Sequence, residues 1–209
     1  TAVRGHRTKY KLTSQEPKDF PDQMGFAEDK YHSIASGPLR TLVRRTVFAA
    51  DDESTRYAMN GVLFETDGDR LRLVGTDGRR LAVIAATGSA FGGHSTKDLK
   101  SSVIVPRRAV ELLERMLPDD DDANVHVALS SNKAAFSAGN FVLRTRLVEG
   151  RFPRYTEVLP TRSEATVSLS VRDLLQSVRQ AAIVTSEESR GVDFSFGDGK
   201  LRLASRAAE

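Results

Sequence analysis

Apolar and polar positions follow two different periods along this chain, and the switches between them mark its elements. Thr8–Leu12 alternates as a strand does, and Tyr31–Ile34 is the right length for another. Spacing changes at Leu39, Leu42, Val43 and Val47, which share one face of a helix predicted to run to about Phe48. Ser36 is its expected N-cap, and Pro38 suits its first turn. Gly61–Thr66, Leu71–Thr76 and Arg80–Ala86 read as strands, divided by turns at Asp67-Gly68 and Asp77-Gly78. Val103–Val105 is a further strand, and Pro106 opens a second helix with Val110, Leu113 and Leu117 on its apolar face. Val125–Leu129, Ala134–Ser137 and Phe141–Leu147 are three more strands. Thr166–Ser170 leads into a third helix, capped by Ser170, with Leu174, Leu175, Val178 and Ala182 facing inward. Val192–Phe196 and Leu201–Ala204 form a last hairpin. The proline-bearing stretch Gln15–Gln23, the glycine-containing stretch Gly88–Leu99 and the run Asp119–Asp122 read as connectors and loops.

Strand, helix and then two or three antiparallel strands recur three times in this order. Strands outnumber helices and hairpins dominate the connections, so the expected class is α+β with antiparallel sheets rather than a doubly wound parallel fold. The repetition is visible in the residues. GVLFETDGDRLRL (61–73) and GVDFSFGDGKLRL (191–203) share Gly, Val, Phe, Leu, Arg and Leu in register. Upstream, VRRTVFAADDESTR (43–56) parallels VRQAAIVTSEESR (178–190). A unit used at least twice points to a modular, pseudo-symmetric protein more than to a one-pocket enzyme.

Composition narrows the chemistry. The 209 residues are 39% hydrophobic and 28% charged, ordinary for a globular protein with a sizeable core. No apolar run approaches membrane-spanning length. Cysteine is absent, which removes disulfides, thiolate metal sites and a thiol nucleophile. The four histidines (His6, His32, His94 and His126) are scattered without metal-ligand spacing. There is no G-x-S-x-G elbow and no phosphate-binding G-x-x-x-x-G-K-[ST] loop, and the aspartate run lacks EF-hand spacing. These absences argue against catalysis.

A net charge of +3 does not announce a nucleic-acid partner by itself; placement decides. Arg40 and Arg44 are four apart on the polar face of the first helix, with Arg45 beside them. The second helix offers Arg107, Arg108 and Arg115, diluted by Glu111 and Glu114, and the third offers Arg172, Gln176 and Arg179. On any one helix this is an ordinary solvated face. Shared by three helices of a repeat, it is equally a cationic surface that tracks phosphates without reading bases.

ESTRYAMNGVLFE (53–65), TDGRRLA (76–82), VIVPRRAVELL (103–113), LVEGRFPRY (147–155) and SRGVDFSF (189–196) together resemble the bacterial β sliding clamps, the processivity subunits of the replicative DNA polymerase. Order and spacing match across nearly the whole chain. The resemblance implies a DNA clamp fold and a chain cut from a longer one. Residues 1–29 are then the end of a first clamp domain, 30–161 a complete central domain and 162–209 the first half of a third. It further implies a cytoplasmic, non-catalytic protein without cofactor or metal. Such a protein is a head-to-tail homodimeric ring around duplex DNA, with helices lining the channel and sheets outside. Arg40, Arg44, Arg107, Arg108, Arg172 and Arg179 are the channel candidates.

The replicative polymerase subunit, the clamp loader and repair proteins are the implied partners, held through short peptides in a pocket between the second and third domains. The matching positions are Met59, Thr76, Gly78, Arg79, Arg80, Leu81, Pro153 and Val158. Met adapts its shape, Leu and Pro supply apolar walls, and Thr and Arg orient a peptide. Taken alone, Asp77-Gly78 reads first as a hairpin turn, Leu81 as core and Pro153 as a connector residue. Arg79 stands where many relatives have His, a departure that bears on peptide preference. Tyr10 and Leu12 match the edge strand at the ring interface, and Ile183 and Val184 match the opposing end; locally, an edge cap and a helix end explain them as well.

Overall fold

The computed structural model describes residues 2–13, 16, 28, 30–52, 58–68, 70–87, 91–92, 101–163, 165–185 and 191–205. The connector at Gln15–Gln23 falls almost wholly outside them, as do residues 53–57 and 186–190 of the quoted motifs, and His94. Two compact units divide the chain, residues 1–157 and 158–209.

The first unit begins with an exposed hairpin of β1 (Ala2–Arg4) and β2 (Lys9–Lys11). Next comes β3 (His32–Ala35), α1 (Ser36–Arg44), and the meander β4 (Gly61–Asp67), β5 (Arg70–Thr76) and β6 (Leu81–Thr87). The short β7 (Phe91–Gly92) follows, then β8 (Ser101–Pro106), α2 (Arg107–Met116), β9 (Asn124–Leu129), β10 (Lys133–Ala138) and β11 (Phe141–Arg146). One sheet has the order β6-β5-β4-β8 and the other β11-β10-β9-β3-β7. Each strand that precedes a helix thus pairs with the meander of the other half, β3 with β9 and β8 with β4. This exchange joins the two strand–helix–meander halves into one body.

Their apolar faces meet in a single core. Leu39, Leu42 and Val43 of α1 and Val110 and Leu113 of α2 pack with Ile34, Val62, Phe64, Val105, Val127 and Phe136. The rings of Phe64 and Phe136, one from each sheet, meet edge to face at 6.0 Å. Burying such a side chain contributes about 1.5–3 kcal/mol. A second cluster lies around the other face of β4 and β5, with Ala58, Leu63, Val74, Ile104 and Tyr155 at its centre. With a cluster on either side, β4 is buried almost continuously rather than in alternation.

Three local expectations change. Ser36 lies inside α1 rather than capping it. Its hydroxyl donates to the Pro118 carbonyl at 2.8 Å, and the amides of Ser36 and Gly37 are satisfied by the Ala123 and Asp121 carbonyls. The helix stops at Arg44, short of Phe48, where Thr46 turns its hydroxyl back onto the Leu42 carbonyl at 2.8 Å and a 3-10 turn covers Val47–Ala49. Within the stretch read as a loop, β7 adds an edge to β3 through Ser33 and Ile34; residues 88–90 and 93–100 lie outside the described residues.

The second unit contains α3 (Val171–Ala182) and a hairpin of β12 (Asp193–Gly197) and β13 (Lys200–Ala204). Ser170 does cap α3, accepting from the Asp173 amide at 3.4 Å. Thr166–Ser170 forms no strand. Leu174 and Val178 are half-buried, but Leu175 and Ala182, expected inside, are exposed because the hairpin covers only one side of the helix.

Candidate functional site

The tight turn from β5 into β6 builds one candidate surface. Gly78 has φ +84, in the left-handed region that glycine tolerates without strain. Asp77 organises the turn, its carboxylate accepting from the Arg79 and Arg80 amides at 2.9 and 3.0 Å and from the Arg80 side chain at 2.9 Å. Desolvation raises the Asp77 pKa, but those backbone and guanidinium donors outweigh it and hold the carboxyl below its ordinary value. The buried Thr76 donates to the Arg80 carbonyl at 2.7 Å and accepts from the Gly78 amide at 3.1 Å. Met59 lies beside this turn: a Cβ added at Gly78 would come within 3.9 Å of its methyl carbon. Leu81 is half-buried against the second apolar cluster.

Six of the expected pocket residues therefore converge: Met59, Thr76, Gly78, Arg79, Arg80 and Leu81. Pro153 belongs to an adjoining cleft of about 450 Å³ whose walls include Leu63, Ile104 and Phe152. Val158 lies in the second unit and is exposed.

Two features of this region escaped the sequence reading. Phe48, taken as the end of a helix, stands exposed beneath the Arg80 guanidinium, 5.8 Å from ring centre to charge. On the floor of the Pro153 cleft, the Tyr155 hydroxyl donates to Glu65 at 2.6 Å. Arg72 donates to both, at 2.9 Å to Tyr155 and 3.2 Å to Glu65. Glu65 and Arg72 are direct cross-strand partners in β4 and β5. Burial, followed by the bond to Glu65, raises the Tyr155 pKa; the Tyr155 bond raises that of Arg72. The sequence signal was present in part, since Glu65 and Arg72 stand on the two strands that the Asp67-Gly68 turn joins, and Tyr155 ends RFPRY. No sequence pattern says that the three meet.

The arginines divide into two groups. Arg40 is largely buried, ion-paired to Asp121 at 2.5 Å and hydrogen-bonded to the Pro118 carbonyl, so it clips α1 to the loop after α2. Asp121 is accordingly a structural partner and not only a solvated loop residue. Arg107 is held by Asp52 at 2.5 Å, Glu111 at 2.9 Å and the Ala50 carbonyl at 2.9 Å. Arg44 pairs with Glu114 of α2 at 2.8 Å but keeps 64% of its side chain exposed, and Arg108 is exposed. In the second unit, exposed Arg172 and Arg179 line a shallow groove of about 410 Å³ on α3 with Leu175 and Ile183. Tyr10, Leu12, Ile183 and Val184, the expected interface positions, are all exposed on their own units.

Among the described residues, no group of three or more His, Asp or Glu side chains could hold a metal ion, and no helix is long and apolar enough to cross a membrane.

Residues 33–154 match the family model of the DNA polymerase III beta subunit, central domain. The chain is 34% identical over 208 residues to the beta sliding clamp of Proteus mirabilis, covering 99% of this chain and 55% of that protein. It stands in the same relation to the beta sliding clamp of Escherichia coli strain K12, with 34% identity and the same coverage. The crystal structure of a sliding clamp, DNA polymerase III subunit beta, from Pseudomonas aeruginosa bound to griselimycin superposes with a TM-score of 0.81 at 31% identity, over 98% of this chain and 54% of that one. The chain thus spans about half the length of the curated relatives it matches.

Proposed function

This chain belongs to the DNA polymerase III beta subunit family, the β sliding clamps, and from that premise we propose that it is part of a ring that encircles duplex DNA and tethers a polymerase to it. In this reading residues 1–29, 30–161 and 162–209 belong to three successive clamp domains, and the protein is a cytoplasmic, non-catalytic homodimer. The observation that carries it is the recurrence of exposed arginines on all three helices: Arg44 on α1, Arg108 on α2, Arg172 and Arg179 on α3. Exposed cations of this kind neutralise phosphates through counterion release, without base contacts, and permit sliding. Arg40 and Arg107, already engaged by carboxylates, contribute less to that surface and more to holding α1 and α2 in place.

Met59, Thr76, Gly78, Arg79, Arg80, Leu81, Pro153 and Val158 supply the peptide pocket for the polymerase subunit, the clamp loader and repair proteins. Tyr10, Leu12, Ile183 and Val184 supply the ring interface. We infer that griselimycin, the ligand bound to the Pseudomonas aeruginosa relative, would occupy this pocket, and it serves as the probe for it.

Reversing charge at Arg44 and Arg179 (to Glu) in the whole protein tests the channel. Retention on circular DNA should fall and its salt dependence flatten, with griselimycin affinity unchanged. Unaltered retention would reduce the protein to a peptide-binding scaffold, the reading that the ion-paired state of Arg40 and Arg107 favours. Leu81→Asp should abolish griselimycin binding in a folded protein; retained binding would remove Leu81 from the pocket.

A further inference from the structure

The segment that carries Pro153 has few ties to the sheet beneath it. Val148 enters it with a backbone bond to the Ile104 carbonyl at 2.8 Å. Beyond that point, the described backbone bonds within residues 150–157 are local, from the Tyr155 amide to the Pro153 carbonyl and from the Glu157 amide to the Arg154 carbonyl. The Arg154–Glu157 ion pair is local too, and well exposed. What holds the segment down is Tyr155. Its ring is buried in the second cluster with Leu63, Val74 and Ile104, and its hydroxyl closes the triangle with Glu65 and Arg72. Leu81, from the turn surface, packs against the same cluster, as does Phe152, the neighbour of Pro153.

Resting on the pocket reading above, we propose that the Glu65–Arg72–Tyr155 triangle is the positioning device of the peptide pocket: it fixes the 150–157 segment so that the Pro153 wall is already in place when a peptide arrives. The three side chains act through Pro153 and Leu81 rather than by touching the peptide. A wall that is formed only part of the time scales the apparent affinity down by the fraction of time it is present. Its loss therefore slows association and leaves dissociation unchanged, whereas loss of a direct contact speeds dissociation. Glu65 and Arg72 both lie within one hairpin, so the device is an anchor of the sheet reaching a distant connector, with 90 residues separating Glu65 from Tyr155.

Tyr155→Phe isolates the claim, because it keeps the buried ring and removes only the hydroxyl. Griselimycin binding is followed by surface plasmon resonance on wild type, Tyr155→Phe, Glu65→Gln and Glu65→Ala, with thermal unfolding alongside. Tyr155→Phe and Glu65→Ala each remove two hydrogen bonds of the triangle and should each bind more weakly, by up to about fivefold for every bond of about 1 kcal/mol that is lost. The loss should fall in the association rate. Glu65→Gln, which still accepts from Tyr155, should bind nearly as wild type. Wild-type rates in Tyr155→Phe, or a loss confined to the dissociation rate, would overturn the triangle's role while leaving the pocket intact. A wild-type protein that fails to bind griselimycin at all would overturn the pocket and the triangle together.

Discussion

The hairpins β4–β5 and β12–β13 have one register and two fates. Phe64 faces Leu73 across the first, and Phe194 faces Leu203 across the second; Thr66 with Leu71 corresponds to Phe196 with Leu201. The repeated sequence therefore encodes the same strand pairing twice, as expected where turn and hydrophobic pattern fix register. Burial is another matter. Phe64, Leu71 and Leu73 are fully buried, whereas Phe194 and Phe196 are 46% and 58% exposed. In the first unit β8 extends the sheet beside β4, and β3, β9 and β10 supply an opposing apolar layer. In the second unit the described partner is α3. A hairpin is specified by its own residues, but a core is made only by what is laid over it.

The sharpest way to break this comparison is to truncate the same aromatic in both copies. Phe64→Ala should cost about 3–5 kcal/mol, through lost burial and the cavity left beside Phe136. Phe194→Ala should cost less than about 1 kcal/mol, since nearly half its surface already meets water. Denaturant titration of the two variants measures both. Equal losses would mean that the second hairpin's apolar face is covered in the whole protein, which removes the contrast.

A smaller effect separates the ends of the two hairpins. Gly75 lets β5 approach the turn after α1 so closely that an added Cβ would lie 2.3 Å from the Thr46 carbonyl oxygen. Its counterpart in the repeat is Ser205, whose hydroxyl donates to the Ala181 carbonyl of α3 at 2.6 Å. One copy closes the strand–helix gap by having no side chain, and the other bridges it with one. Gly75→Ser should therefore destabilise by about 1–3 kcal/mol, because a rigid backbone must yield. Ser205→Ala should cost only about 0.5–1.5 kcal/mol, the net value of one hydrogen bond. Thermal midpoints of the two variants, compared with wild type, rank these costs. A harmless Gly75→Ser would show that the first unit has the same slack as the second.

What could be read from sequence follows the same division between local and distant. Strand order, hairpin turns and the apolar faces of α1 and α2 lay in short-range spacing, and the family motifs brought Met59, Thr76 and Gly78–Leu81 to one surface. Ser36 was misread because its helix end is satisfied by carbonyls at 118–123, far along the chain. The engagement of Arg40 was hidden for the same reason, since Asp121 is 81 residues away. Phe48 reads as helical by period, yet the Thr46 hydroxyl ends the helix before it. Leu175 and Ala182 carry the same helical signal as Leu42, and only the amount of covering structure separates their environments.

The smallest effect concerns pH, and it also sets the first unit apart. His32 is buried on β3, and desolvation holds its pKa below the ordinary value of 6.5. Its counterpart in the second unit, at the 135-residue offset that pairs Val43 with Val178, is the exposed Val167, which does not titrate. The unfolded chain takes up the His32 proton near 6.5, whereas the folded chain resists it until lower pH. Between those two values the unfolded state binds more protons, so stability falls as pH drops through that window and levels off below the folded value. His32→Gln removes the titration while keeping a polar side chain. Its stability should therefore decline less steeply than wild type below pH 6.5, even if it starts from a lower level. Unfolding free energies measured by denaturant across that range test the slope, and parallel curves for the two proteins would show that His32 is charged in the folded chain as readily as in the unfolded one.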